Sequence, residues 1–185
     1  MVEPIRIASL KPGEERQVLD FLKPHYEKEY RTSPDKLLDK CFIAWRESSI
    51  LGVIGLEFSK AGNPFEVEEF FEFNFEQAIG SRSLGVNFGR WSSIEAVSGR
   101  ALAYTAVDYA CEQGRTVALA SSKPRVVNYI RKQYGLRFTI FRVPMKHSNA
   151  KFFREGPKPI IYTWLLEEWR AALGKDIPPF VIFDL

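Results

Sequence analysis

The spacing of hydrophobic and polar residues predicts a series of short strands and helices. Apolar and polar side chains alternate from Ile5 to Leu10, which is the period of a strand. Beyond a Pro-Gly break, apolar residues recur three and four positions apart, as on one face of a helix: Val18, Leu19, Leu22 and Tyr26. Pro24 falls inside this pattern, so we expect a kink or two short helices here.

Two β-rich runs follow and predict a hairpin. Residues 41–45 and 50–56 are separated only by a short polar link. Beyond a turn cluster at 61–64, phenylalanine and glutamate share residues 65–76, where we expect a strand with a solvated acidic face. Residues 85–93 are predicted to form the next strand.

The second half of the chain alternates helices with short apolar runs. Helices are predicted over 98–114, with Ser98 as the cap, and over 124–135, with a proline in the first turn. The run 116–120 is typical of a central strand covered on both faces, and alternation over 136–140 predicts another strand. The final predicted helix contains Trp164, Leu165, Trp169 and Ala172. This order implies parallel strands joined by right-handed crossovers.

Composition and charge exclude several classes of protein. The 185 residues are 45% hydrophobic and 26% charged, as in a globular protein, and we expect one domain over 1–185. Its core is predicted at 5–143, with a C-terminal extension at 144–185. The 26 basic and 23 acidic residues are interleaved, so the net charge of +3 indicates no nucleic-acid partner.

Cellular location and metal chemistry follow from a few residue types. Cys41 and Cys111 lack metal-ligand spacing, so we expect no disulfide, no metal site and a reducing, cytoplasmic location. No apolar run reaches the ~18 residues of a membrane-spanning helix, and the N-terminus lacks the build of a signal peptide. His25 and His147 have no serine or cysteine motif beside them, which argues against a hydrolytic triad.

One segment is predicted to meet a ligand. Ligands of parallel sheets usually bind beyond the carboxyl ends of strands, where a following helix presents unpaired N–H groups. That point is the segment between Trp91 and Leu102, where Gly99 allows close backbone approach. A helix N-terminus favours an anion such as a pyrophosphate, and Arg100 adds a positive charge.

Three segments resemble the GNAT superfamily of N-acyltransferases. Trp45–Leu56 is similar to its central hairpin, Val97–Leu102 to its pyrophosphate loop, and Lys123–Leu136 to the next helix. The resemblance covers about residues 5–143 and implies an α/β (α+β) fold in the order β-α-α-β-β-β-α-β-α-β, with a mixed twisted sheet and helices on both faces. A C-terminal helical extension follows.

The resemblance implies an N-acyltransferase that uses acetyl-CoA, another acyl-CoA or an acyl-carrier protein. Its partner is then a small-molecule acyl acceptor or the carrier protein, and the oligomeric state, a homodimer included, stays open. The family loop carries Gln or Arg and then two glycines, but Ile94 and Val97 occupy the first two of these places. A non-catalytic ligand- or protein-binding domain of the same fold is therefore the alternative.

A narrower resemblance involves residues 65–91. They look like the thermostable-hemolysin-like family and the acyl-homoserine-lactone synthases, autoinducer synthases whose strand carries Glu, two residues, then Arg-Phe. Arg90 and Trp91 match the last pair, and Asn87 replaces the glutamate. Use of S-adenosylmethionine is not implied.

These patterns give a set of candidate site residues. A general base is expected among Glu68, Glu69 and Glu95, with a pKa raised by nearby phenylalanines, and Tyr129 is nearest to the family's general acid. The expected cofactor-binding residues are Trp91, Val97, Ser98, Gly99, Arg100 and Asn128, and Arg90 is the expected substrate-binding residue.

Structural roles are the alternatives for these residues. Gly99 relieves crowding between a helix and a strand in one reading. Arg90 pairs with a carboxylate of residues 66–76 in another. The glutamates, in turn, form a solvated face.

Overall fold

One mixed sheet carries the fold. The computed structural model describes residues 3–30, 33–59, 63–146 and 158–185. The strands are β1 (Ile5–Ser9), β2 (Lys40–Arg46), β3 (Ser49–Phe58), β4 (Gly85–Ser93), β5 (Val117–Ser122), β6 (Thr139–Phe141), β7 (Ile160–Leu165) and β8 (Val181–Asp184). The helices are α1 (Glu15–Tyr30), α2 (Glu66–Phe70), α3 (Phe75–Ala78), α4 (Ala96–Glu112), α5 (Pro124–Tyr134) and α6 (Leu166–Gly174).

The strand order in the sheet is β6-β7-β5-β4-β3-β2-β1-β8. The first four strands along the chain pair antiparallel, which confirms the predicted hairpin between β2 and β3. β4 and β5 pair parallel, β7 lies antiparallel between β5 and β6, and β8 runs parallel to β1. The mixed sheet therefore agrees with the predicted fold class.

Helices cover both faces of the sheet. The larger core packs α4, α5 and α6 against alternate side chains of the strands, for example Ile54, Phe88 and Trp164. On the other face, Val18 and Leu22 of α1 pack against β2 and β3. Beside them lies a cluster of buried phenylalanines from the α2–α3 segment: Phe65, Phe71, Phe73 and Phe75.

Three predicted elements differ from the structure. α1 is a single helix through Pro24, which is exposed. The predicted strand over 65–76 is replaced by α2 and α3, because the Glu68 carboxylate accepts backbone hydrogen bonds from Phe65 (2.7 Å) and Phe75 (2.9 Å) at both helix starts. α4 begins at Ala96, so Ser98 lies within its first turn instead of capping it.

The C-terminal region contributes to the sheet. Trp164 and Leu165, predicted in a helix, end strand β7, where Tyr162 and Trp164 alternate with Ile161 and Thr163 between the two faces. β7 and β8 both come from the segment predicted as an extension. His147 and part of the predicted turn cluster, residues 61 and 62, lie outside the described residues. Among the described residues, no helix combines the length and apolar character needed to cross a membrane.

Candidate functional site

The sheet opens between β4 and β5. The two strands pair only over Gly85–Asn87 and Val117–Leu119, although both continue toward their carboxyl ends. Beyond Asn87, no strand among the described residues pairs with the edge of β4 that faces β5. An unpaired strand edge offers a row of N–H and C=O groups to an extended ligand.

A cavity of about 630 Å³ lies at this opening. Its walls are the end of α1, α2, the outer half of β4, the end of β5, and α5. The walls differ in character, because most of the charged side chains come from α1, α2 and Arg90 of β4, and most of the aromatic side chains come from β4, α5 and β7. The cavity therefore has a polar side and an aromatic side.

β4 carries a bulge beside the cavity. Val53 pairs with Ser92 and Gly55 pairs with Gly89, so one extra residue of β4 is accommodated between these pairs. Arg90, in the bulge, has a φ of 53°, which is unusual for a residue other than glycine. Bulges next to sites redirect side chains and interrupt the ladder.

The Arg90 side chain holds the bulge to α2. Its guanidinium donates to both Glu66 carboxylate oxygens, at 2.7 and 3.0 Å, and to the Lys36 carbonyl oxygen at 3.1 Å. The side chains of Arg90 and Glu66 are 11% and 15% exposed, so the pair is largely shielded from water. This is the structural pair that the sequence left open for Arg90.

A second carboxylate lies next to this pair. Glu57 faces Asn87 across β3 and β4 and accepts a 2.7 Å hydrogen bond from its side-chain amide. It also accepts from the Glu66 backbone N–H. Burial raises the pKa of Glu57, although these hydrogen bonds oppose the shift.

Tyrosine hydroxyls cluster on the polar side of the cavity. Burial raises the pKa of Tyr26 to about 12, and the nearby Arg90 guanidinium opposes that shift. Burial also raises the pKa values of Tyr30 and Tyr162, and a hydrogen bond with Ser122 opposes each shift. These hydroxyls therefore stay protonated at neutral pH and can both donate and accept hydrogen bonds.

The start of α4 forms the rim of the aromatic side. Exposed Ala96 is its first residue, and the Glu95 carboxylate just before it pairs with both nitrogens of the Arg46 fork, at 2.6 and 2.9 Å. Ser98 is buried and bonds to Ser93 and to the Glu95 carbonyl. The backbone N–H groups of residues 96–98 are the ones that a helix start leaves without an intrahelical partner.

Comparisons with known proteins identify solved structures with a similar fold. No protein-family model and no curated protein matches the sequence. Among solved structures, FeeM, an N-acyl amino acid synthase from uncultured soil microbes, matches with a TM-score of 0.62 at 14% identity, over 91% of this chain and 95% of that one. BjaI, a CoA-dependent acyl-homoserine lactone synthase, matches with a TM-score of 0.59 at 12% identity, over 97% of this chain and 93% of that one. A GNAT-family acetyltransferase from Staphylococcus aureus matches with a TM-score of 0.55 at 12% identity, over 88% of this chain and 99% of that one.

The chain has a GNAT-like fold. In this GNAT-like fold the opening between β4 and β5 contains part of the predicted site. Five of the predicted residues line the cavity: Glu69, Arg90, Trp91, Glu95 and Tyr129. Glu69 belongs to α2 and lies on the polar side. Tyr129 belongs to α5 and is 57% exposed.

Glu68 lies outside the cavity. Besides its two backbone hydrogen bonds, its carboxylate forms a two-pronged pair with Arg82. Burial alone raises the pKa of Glu68, but the bonds from Arg82, Phe75 and Phe65 outweigh it and lower the pKa. Every oxygen is therefore engaged, so Glu68 acts as a structural residue here and not as the predicted base.

The predicted cofactor-binding residues of α4 and α5 also lie outside the cavity lining. Val97, Ser98, Gly99, Arg100 and Asn128 do not line the cavity. The Gly99 N–H donates to the Glu95 carbonyl (3.0 Å), so it is not a free phosphate donor. A side chain at Gly99 meets Ser93 at 3.3 Å, which supports the crowding alternative, and Arg100 pairs with Asp176 at 2.8 Å.

Sequence reasoning missed several residues of the cavity. Glu66, Tyr26 and Tyr134 all line it, and burial raises the pKa of Tyr134 to about 12. Tyr134 stacks on Trp91, with ring centroids 6.1 Å apart. Its position just before Gly135 was the available signal, because a residue in the last turn of that helix points back toward β4. Among the described residues, no group of three or more His, Cys, Asp or Glu side chains is placed to hold a metal ion.

Proposed function

We propose that this chain is an N-acyltransferase that takes its acyl group from a CoA or acyl-carrier-protein thioester. The observation that carries the proposal is the early separation of β4 from β5 after Asn87 and Leu119. An extended pantetheine arm carries amide groups that can pair with the free edge of β4, as a peptide adds to a sheet. The cavity then receives the thioester between its polar and aromatic sides.

The donor phosphate is proposed to lie at the start of α4. The N–H groups of residues 96 and 97 and the helix dipole favour an anion there. Glu95 is held beside this point by Arg46, so the pair is electrically balanced instead of adding a free negative charge. Ile94, 57% exposed, supplies no donor where the family loop has Gln or Arg.

The reaction is direct transfer between thioester and amine. A neutral amine attacks the thioester carbonyl carbon, a C–N bond forms, the C–S bond breaks, and the thiolate leaves. The proton lost by the amine passes to a base and finally to the thiolate or water, so no other reactant is needed. Such a transfer depends mainly on positioning and on donors for the developing oxyanion.

We assign the proton-accepting role to Glu69, because it is exposed and lines the polar side of the cavity, where we place the acceptor. Glu95 is the alternative base, but its two oxygens already accept from Arg46. The neutral hydroxyl of Tyr134 is available to donate to the thiolate or the oxyanion. A Tyr129→Phe and Tyr134→Phe pair of variants separates the two tyrosines, since only the residue that contacts the reacting atoms lowers kcat.

Binding and turnover of thioesters test the proposal. Thermal unfolding is measured with acetyl-CoA, octanoyl-CoA, an acyl-carrier-protein thioester and free CoA, and thiol release is followed with a panel of amines. A donor at about a hundred times its Kd stabilises the fold by about 2.7 kcal/mol, or several degrees in Tm. Absence of any shift and any thiol release with every donor contradicts the proposal.

The variant Ala96→Glu tests the phosphate position. Ala96 is exposed and lies in the first helical turn, where an acidic residue suits the helix dipole, so the fold is expected to persist. A like charge near the phosphate costs about 1 kcal/mol or more and weakens donor binding about five-fold. Ala96→Gln is the matched control and should bind as the parent does. Equal binding by both variants contradicts the phosphate assignment.

A non-catalytic ligand-binding domain is the second candidate. The Arg46–Glu95 pair favours it, because a carboxylate occupies the rim where the family loop presents a cationic or amide side chain. A protein of this kind shifts in Tm with a thioester but releases no thiol with any amine. Thiol release above the rate of the Glu69→Gln variant rules it out.

A further inference from the structure

Trp164 belongs to the linings of two cavities. It lines the large cavity between β4 and β5, and it also lines a second cavity of about 360 Å³ beside β6 and β7. The second cavity is largely apolar, with Ile79, Phe138 and Phe141 among its lining residues. Trp164 is therefore a residue that the two spaces share.

The Trp164 ring is fixed by its neighbours. It stacks on Trp169 with ring centroids 4.4 Å apart, and Phe88 and Tyr162 meet it at 5.1 and 5.5 Å. The ring centroid of Phe138 lies 5.9 Å from that of Trp164, and only 5% of Trp164 is exposed. A ring packed on this many sides cannot rotate away without disturbing the core.

Four apolar residues that line the large cavity are almost completely buried, and we call them its recess. They are Phe88, Ala120, Ile130 and Trp164, and each keeps only 4–5% of its surface exposed. The opposite, polar side carries Arg90, Glu66 and the tyrosine hydroxyls. An acyl chain gains about four-fold in binding for each methylene buried, so it is driven toward the recess and away from the polar side.

We infer that Trp164 closes this recess and limits the acyl group of the donor to a short chain. The inference rests on the proposed function, because it concerns the acyl group of the same thioester. A chain longer than the recess meets the indole and has to stay in the polar part of the cavity. Removing the indole joins the two cavities and gives a longer chain an apolar path toward Phe138.

Binding of acyl-phosphopantetheine thioesters tests the inference. This arm is common to CoA and the acyl-carrier protein, so the result does not depend on the carrier. Kd is measured for the acetyl, butyryl, hexanoyl and octanoyl thioesters with the parent protein and with Trp164→Leu. The parent should bind butyryl at least about ten-fold more tightly than octanoyl, the discrimination typical of an extra methylene in a closed pocket. Trp164→Leu should remove or invert this preference.

Two further variants keep the test specific. Trp169→Leu removes the same stacking contact from the other side, but Trp169 lines neither cavity, so the chain-length preference should be unchanged. Trp164→Phe retains an aromatic ring and should move the limit only to the hexanoyl thioester. Trp164→Phe replaces Trp164→Leu in the binding measurements if Trp164→Leu does not fold.

Failure of the inference and failure of the proposed function give different results. No binding of any thioester to the parent overturns the proposed function and the inference with it. Octanoyl binding as tight as butyryl binding in the parent overturns the inference alone. An equal loss of the chain-length preference in Trp164→Leu and Trp169→Leu also overturns the inference. Loosening of the core, and not removal of the residue that the two cavities share, then explains the change.

Discussion

Single residues of this chain were only partly predictable. The glutamate-rich stretch indicated a base, and the structure directs one of its carboxylates, Glu69, to the cavity and another, Glu68, into the interior. The difference depends on which face of a five-residue helix each occupies, and that helix was read as a strand. Arg90 and Trp91 were found from their motif, and a pair of Arg90 with a carboxylate of residues 66–76 was one alternative. Which carboxylate it is could not be predicted, because the contact with Glu66 spans 24 positions in the chain.

The Glu68–Arg82 pair is expected to control acid stability. The pKa of Glu68 is lowered in the folded state, so its contribution is present above the unfolded value of about 4.3 and is lost as pH falls through the folded value. Glu68→Gln leaves Arg82 with only the more distant Glu76 carboxylate, at 3.5 Å, and the starts of α2 and α3 with a weaker acceptor. We expect it to cost about 3 kcal/mol at neutral pH, and less as the pH falls below 4. Denaturant unfolding over this pH range measures both.

Glu57→Gln is the control for this pH dependence, because its sign is opposite. The pKa of Glu57 is raised in the folded state, so its favourable contribution is present at low pH and is lost as pH rises through the folded pKa. The free energy of unfolding of the variant, relative to that of the parent, should therefore be highest at neutral pH and lowest in acid. A Glu68→Gln penalty that stays constant from pH 7 to below 4 contradicts the role given to Glu68.

Helices and strands were more predictable than the residues between them. β1, the β2–β3 hairpin, β4, β5 and α5 follow from local periodicity and turn residues, such as Gly135 with its φ of 67°. The strand expected over residues 65–76 was wrong, because a buried carboxylate and not periodicity fixes the two short helices there. β7 was missed, because an aromatic run beside a helix has no turn signal between Leu165 and Leu166. Divergence of β4 from β5 is set by packing and has no local signature.

The junction of β3, β4 and α4 is expected to depend on Gly52. A side-chain carbon at this position lies 2.8 Å from Leu102 Cδ1 and 2.9 Å from the Ser92 carbonyl oxygen. The carbonyl belongs to the β4 ladder and cannot retreat, so Gly52→Ala should destabilise the fold by about 1–3 kcal/mol. Because Ser92 and Ser93 line the cavity, donor binding should weaken as well.

Gly89→Ala provides the comparison for Gly52→Ala. It adds the same methyl group to the neighbouring strand, but the one close atom, Leu38 Cδ1 at 2.9 Å, is the end of a flexible side chain. Its effect on the free energy of unfolding should be below about 1 kcal/mol. Urea unfolding of both variants decides the matter, and an equal loss in the two contradicts the close approach inferred at Gly52.

At the scale of the whole molecule, the sheet separates stability from the proposed chemistry. The opening between β4 and β5 lies near the middle of the strand order, and β8 lies at the far edge beyond β3, β2 and β1. No residue of β8 lines the cavity. β8 still contributes to the fold, because Val181 is 8% exposed and the Phe180 carbonyl accepts from the Ile5 N–H at 3.0 Å.

Deleting residues 180–185 should therefore lower stability without changing the site. Loss of a buried valine costs about 1.5–3 kcal/mol, which corresponds to a fall in Tm of about 3–12 °C for a chain of this size. Asp184→Asn removes only the exposed ion pair with Arg6 and should lower Tm by no more than about 2 °C. Donor Kd, measured well below the Tm of each form, should be the same in the parent, the deletion and the point variant. A Kd that rises in the deletion alone would mean that strain at the far edge reaches β4, so the sheet would then behave as one coupled unit and not as a rigid frame around an independent opening.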